Sequence, residues 1–233
     1  MNFSTIPKQM DSRIAGVLYL LIAIFSGFSM GYLPNLIIAT GDAVTTAQNL
    51  QTYSGIFRVG FAADILVILL EIMLTVILYF ILKKVHPKIA LMALLSRFAM
   101  AVIMGVNLLN YLIPMALLDN PTYLEVFHSD QLQALALLFL EAHQFVVLIW
   151  GLFFGIHLAL LGFLVFKSGF YPKILGILLI IGSFGYTTES IGKFTLPGNE
   201  IFEMLAMVLL GFAVIGELSF AFWLLIKGAK QAV

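Results

Sequence analysis

Six apolar runs, near residues 14–38, 57–82, 89–113, 144–166, 173–191 and 201–226, leave little of this chain for anything else. A run of some twenty apolar residues is long enough to cross about 30 Å of hydrocarbon. Inside lipid no water is at hand to satisfy backbone amides, so each run must close its hydrogen bonds within itself as a helix. The expectation is an all-α, polytopic membrane helix bundle: one transmembrane domain over residues 1–233, with six spanning helices. Composition agrees, because 62% of the residues are hydrophobic and only 10% charged, against roughly 25% charged in soluble domains. The first ten residues are polar and no small-residue cleavage site follows them, so the first run reads as a retained helix and not a removed signal peptide.

The connecting segments set the orientation. Lys8, Arg13, Lys83, Lys84, Lys88, Lys167, Lys173, Lys227 and Lys230, nine of the twelve basic residues, fall on one side of the bilayer. The opposite loops carry Asp42, Asp119, Glu125, Asp130 and Glu200, with only Arg58 and Lys193 as basic residues. By the positive-inside rule both termini are cytoplasmic. The fourth run is anomalous: Gln131 to Phe166 is 36 residues, a helix of roughly 54 Å and longer than the membrane is thick. It reads as a long fourth helix that begins outside near Asp130, has Glu141, His143 and Gln144 around the interface, and spans from about Phe145. Residues 114–143, with Pro114, Pro121, Tyr123 and Phe127, form the outer interfacial region.

Charge inside hydrocarbon costs about 2.5–3.5 kcal/mol per group even on the lenient insertion scale, so each intramembrane ionisable residue calls for a reason. Arg97 lies nine residues after Lys88, His157 ten before Lys167, and Glu217 ten before Lys227. At about 1.5 Å per helical residue the three share a depth of roughly 13–15 Å. Glu71, twelve residues before Lys83, joins the same level. Seven-residue spacings put Asp64 with Glu71, His143 with Trp150 and His157, and Glu203 with Leu210 and Glu217 on single helix faces. Arg97 keeps its proton and needs a carboxylate partner, preferably bidentate. The second carboxylate is then either protonated or paired with a cationic His157. Arg97, Glu217, Glu71, His157, Asp64 and Asn107 are therefore the expected ligand-binding or proton-coupling residues. The alternative for each is a buried polar contact that only locks helices together.

Other chemistries find less support. With no cysteine, disulfides, thiolate nucleophiles and cysteine-held metals are excluded. Net charge is zero, which leaves no basic field for nucleic acid. No zinc-hydrolase helix, nucleophile elbow or phosphate loop is present, so no residue is assigned a catalytic role and no cofactor or metal is expected. An outward set of His128, Asp130, His143 and Glu189 keeps a metal-dependent hydrolase open as a second reading. Gly27 with Gly31 and Gly151 with Gly155 match the small-xxx-small pattern of close helix packing, within the chain or between two copies in a homodimer.

The segments Arg13-Ile-Ala-Gly16, Gly41-Asp42-Ala43, Phe57-Arg58 to Ala63-Asp64, Lys167-Ser-Gly-Phe-Tyr-Pro-Lys-Ile-Leu-Gly176, Gly216-Glu217-Leu218 and Phe222-Trp-Leu-Leu-Ile-Lys-Gly228 resemble a bacterial membrane-protein family catalogued as domain of unknown function 4386. The likeness covers most of the chain and implies a bacterial cytoplasmic membrane. That family carries no assigned activity. The functional expectation is a binder or transporter of a small or lipid-like ligand, with membrane lipids as its surroundings. An intramembrane hydrolase and a non-catalytic partner subunit are the alternatives.

Overall fold

The computed structural model describes residues 9–119 and 121–229, so the basic anchors Lys8 and Lys230 lie outside the described residues. The helices are α1 (Gln9–Ser26), α2 (Leu33–Ile37), α3 (Ala43–Thr52), α4 (Ser54–Leu82), α5 (Pro87–Asn107), α6 (Leu109–Leu118), α7 (Ser129–Ser168), α8 (Lys173–Thr195) and α9 (Glu200–Ile226). A π-helical stretch, Gly27–Tyr32, joins α1 to α2, and a 3-10 turn, Thr122–Leu124, precedes α7. Six segments are long and apolar enough to cross a membrane: Gln9–Ile37, Ser54–Leu82, Pro87–Leu118, Ser129–Ser168, Lys173–Thr195 and Glu200–Ile226. The chain is a multi-pass membrane protein.

Helix α4 shows how the apolar pattern is used. Val67, Leu70, Glu71, Leu74, Leu78 and Ile81 are buried, while Leu69, Met73, Val76 and Phe80 are exposed. Both sets follow helical spacing, so one stripe faces protein and the other is left for lipid. Local signals mark the ends. Asp42 caps α3, its carboxylate accepting from the Thr45 amide at 2.9 Å and from the Thr45 hydroxyl at 2.6 Å. These bonds favour the charged form and hold its pKa below the usual carboxylate value. Asn199 caps α9 by accepting from the amides of Ile201 and Phe202.

The outer region 114–143 is mostly helical: α6 runs on to Leu118, past its expected end near residue 113, while α7 begins at Ser129, close to the start near Asp130 expected of the long fourth helix. Pro114 lies inside α6 without ending it, because a proline removes only one hydrogen bond there and the turns on either side remain closed. His143 and its neighbours are thus in mid-helix, and α7 is a single helix of 40 residues, about 60 Å long. Residues 121–128 lie outside the α-helices and include the 3-10 turn, and here Tyr123, Val126 and Phe127 are exposed apolar side chains.

The chain divides into two compact units, one of Met1–Ile22, Leu70–Ala101 and Leu148–Val233, the other of Ala23–Leu69 and Val102–Val147. In the first, glycines set helix spacing. A Cβ on Gly176 of α8 would stand 2.6 Å from the Gly162 carbonyl of α7, and one on Gly185 would stand 2.6 Å from the Leu210 nitrogen of α9. Lipid tails are as apolar as leucine, so close van der Waals contact is what draws such helices together. Gly151 and Gly155 also pack internally, against Ser190 and Ser183 of α8. Gly27 and Gly31 do not: a Cβ on either meets nothing within 4 Å. In the second unit Leu33, Ile37, Leu50, Phe57, Tyr111 and Leu140 form the core.

Gly176→Ala is therefore expected to destabilise by about 1–3 kcal/mol through overpacking, seen as a lower thermal midpoint in detergent, while Gly27→Ala leaves the midpoint within error. A second test uses Tyr171, between α7 and α8, which is buried and shares a 3.4 Å hydrogen bond with Ser12. Burial pushes its pKa from 10.0 up to about 12. The folded-state value is the raised one, so this contribution is complete below the unfolded pKa and is lost as pH rises through the folded one. Stability should fall across that alkaline window, and Tyr171→Phe should flatten the fall.

Candidate functional site

All four residues of the expected inner layer belong to the first unit. Arg97 of α5 is 1% exposed and is the largest fully buried side chain described. Its Nε donates to Glu71 Oε2 of α4 at 2.5 Å. Its Nη1 donates to the Tyr19 hydroxyl of α1 at 3.1 Å and lies 3.0 Å from His157 Nε2 of α7. The guanidinium carbon also sits 4.9 Å from the Tyr19 ring centroid and 5.7 Å from that of Phe154, within cation–π range. Four helices are thereby tied to one charge.

The layer fixes the form of His157. Its Nδ1 lies 2.8 Å from the Ala93 carbonyl, an acceptor only, so Nδ1 carries the proton. Nε2 is then the bare nitrogen, and it accepts from Arg97 Nη1–H. A proton on Nε2 would set one N–H against another, so this hydrogen-bond pattern assigns the neutral imidazole. The expectation of a cationic His157 paired with a carboxylate is thus not met. The expected bidentate clamp is not formed either, because Glu71 engages one guanidinium nitrogen and Tyr19 and His157 share another.

Glu217 of α9 lies within electrostatic reach of both Arg97 and Glu71 but makes no hydrogen bond or ion pair with a described residue. Its side chain is only partly buried. Gly216 beside it packs on Leu178 of α8, so the glycine contact that holds the two helices together also sets the position of this carboxylate. Along the same face of α9, a groove of about 380 Å³ between α8 and α9 is lined by Glu189, Lys193, Phe202, Glu203, Met207 and Leu210, among others. Leu210 is seven residues from Glu217, or about 10 Å along the helix on one stripe.

The remaining expected residues are in the second unit. Asn107 donates from Nδ2 to the His143 carbonyl at 3.1 Å and accepts from Asn110 at 2.9 Å, so it cross-links α5 to α7. Asp64 is 3% exposed and lies on α4. Of the hydrolase set, His128 and Asp130 are exposed in the second unit, and Glu189 of the first unit accepts from Lys193 at 2.8 Å. His143 is buried and stacked on Tyr111 with ring centroids 3.8 Å apart. Among the described residues no three His, Asp or Glu side chains gather to hold a metal ion. Tyr19, and the Phe154 and Tyr186 rings that cluster with Trp150, are not among the residues expected from the sequence. A tyrosine in the middle of an apolar helix was the available signal, since its hydroxyl needs a partner there.

Residues 14–228 match the profile of a family described as Domain of unknown function (DUF4386). An uncharacterized protein of Archaeoglobus fulgidus is 34% identical over 165 residues, covering 71% of this chain and 81% of that protein. No solved structure matches the chain. Removing one partner of the buried pair should be severe: Glu71→Gln is expected to lower stability by about 3–5 kcal/mol, measured by thermal unfolding in detergent. Glu217→Gln, which breaks no hydrogen bond, should leave the midpoint close to wild type.

Proposed function

We propose that this chain, which belongs to the DUF4386 family, binds or carries a small or lipid-like ligand across a cytoplasmic membrane, with Glu217 as the group that exchanges a proton. The observation that carries the reading is the unequal state of the two carboxylates. Glu71 neutralises Arg97, while Glu217 is a second carboxyl group at the same level with no hydrogen-bond or ion-pair partner among the described residues. A carboxylate in that position gains most from a ligand cation, a ligand hydroxyl or a proton. The groove between α8 and α9 supports the same reading. Its volume of about 380 Å³ falls in the range of small-molecule sites, its walls are mostly apolar, and of its two acidic residues Glu189 pairs with Lys193 while Glu203 is on the stripe that continues to Glu217.

In this reading the lysines at 83, 84, 88, 167, 173 and 227 face a bacterial cytoplasm, and the groove opens on the opposite side. Arg97, Glu71 and His157 shape the layer and hold its charge in place. The test is native mass spectrometry of the purified protein, following any co-purified amphiphile through a pH series. Retention should vary with pH in the wild type, and Glu217→Gln should flatten that dependence without changing the thermal midpoint. An unaltered pH profile in a folded Glu217→Gln protein would sink the proposal.

A further inference from the structure

The second unit holds a polar centre of a different kind. Ser29 Oγ, Asp64 Oδ2 and His143 Nδ1 are buried and make no hydrogen bond to any described residue. Ser29 is fully buried and Asp64 is 3% exposed, and the Ser29 hydroxyl lies near the Asp64 carboxyl without meeting hydrogen-bond geometry. Tyr111 is within electrostatic reach of Asp64 and carries the stacked ring of His143 on its face. Ser29 belongs to the π-helical stretch Gly27–Tyr32, and π turns are rare features concentrated at functional sites.

The charge balance sets what this centre can bind. Among the described residues, Tyr111 and, behind it, His143 are titratable groups near Asp64. Arg58, six residues earlier on α4, is exposed and pairs with Asp119 at 3.5 Å. No described lysine or arginine forms an ion pair with Asp64. An ionised carboxylate taken out of water needs a counter-charge or must neutralise itself, and Ser29 adds a neutral oxygen ligand beside it. We propose that Asp64 and Ser29, backed by Tyr111, form a binding site for a small monovalent cation, either an alkali ion or a proton. The proposal does not rest on the Arg97 layer.

The experiment compares wild type, Asp64→Asn and Ser29→Ala in detergent. Thermal midpoints are titrated with sodium chloride against choline chloride at equal ionic strength, and separately over pH without sodium. A rise with sodium that is lost in Asp64→Asn and weakened in Ser29→Ala supports the site with an alkali ion. A rise on acidification, lost in Asp64→Asn, supports it with a proton as the cation. Wild-type midpoints that are indifferent to both, or that Asp64→Asn reproduces, would overturn it. Should the variants fail to fold, wild-type protein alone answers by reaction with an apolar carbodiimide, mapped by peptide mass spectrometry. Labelling of Asp64 should fall severalfold with added sodium or with rising pH, while labelling insensitive to both, or none at Asp64, would overturn the proposal.

Discussion

A guanidinium cannot be left alone in hydrocarbon, and Arg97 cannot shed its charge to escape the cost. It has five N–H donors and no acceptor, so the surrounding helices must supply oxygen or bare nitrogen at several points. Glu71 does so from α4, Tyr19 from α1 and His157 from α7. Each acceptor is itself fixed by its helix, and displacing any one of these helices leaves a donor stranded. The apolar packing around the layer is non-directional and would tolerate many arrangements, whereas this hydrogen-bond set singles out one.

Glycine contacts hold the neighbouring helices of the same unit, where bulky residues at a crossing would prevent close approach. Gly162 with Gly176, and Gly185 with Leu210, allow α7, α8 and α9 to meet nearly backbone to backbone. In the first unit a cation has found its acceptors, although Thr75 Oγ1 is left without a described partner; in the second, Ser29, Asp64 and His143 keep buried polar atoms that make no hydrogen bond to a described residue.

Much of the fold was legible in the sequence, because hydrocarbon admits so few backbone solutions. The number of spans and most of their ends follow from apolar run length alone. The start of α7 near Asp130 was legible as well, whereas the setting of Glu141, His143 and Gln144, which look like an interface, was not. Burial of His143 against the Tyr111 ring depends on a neighbouring helix that no local pattern reveals. The same limit applies to the polar layer. Counting residues from the lysine anchors placed Arg97, Glu71, His157 and Glu217 at one depth, and depth is a one-dimensional quantity. Which carboxylate takes the arginine depends on rotation about each helix axis, so Glu71 and Glu217 could be told apart only once α4 and α9 were packed. Tyr19 went unnoticed because a tyrosine reads as apolar until its hydroxyl has a place to go.

The carbonyl of Ala93 carries a consequence for how the layer can move. In helix α5 it stands four residues before Arg97 and is the acceptor for the Arg97 backbone amide, and it also accepts from His157 Nδ1. His157 in turn receives the far end of the arginine side chain. Arg97 is thus closed into a ring, held at its root and at its tip through a single imidazole, and its long side chain has lost the freedom to swing. A ligand arriving nearby cannot draw the guanidinium toward itself. A response of this layer that keeps its hydrogen bonds has to move α5 and α7 together with α4 and α1, which carry Glu71 and Tyr19.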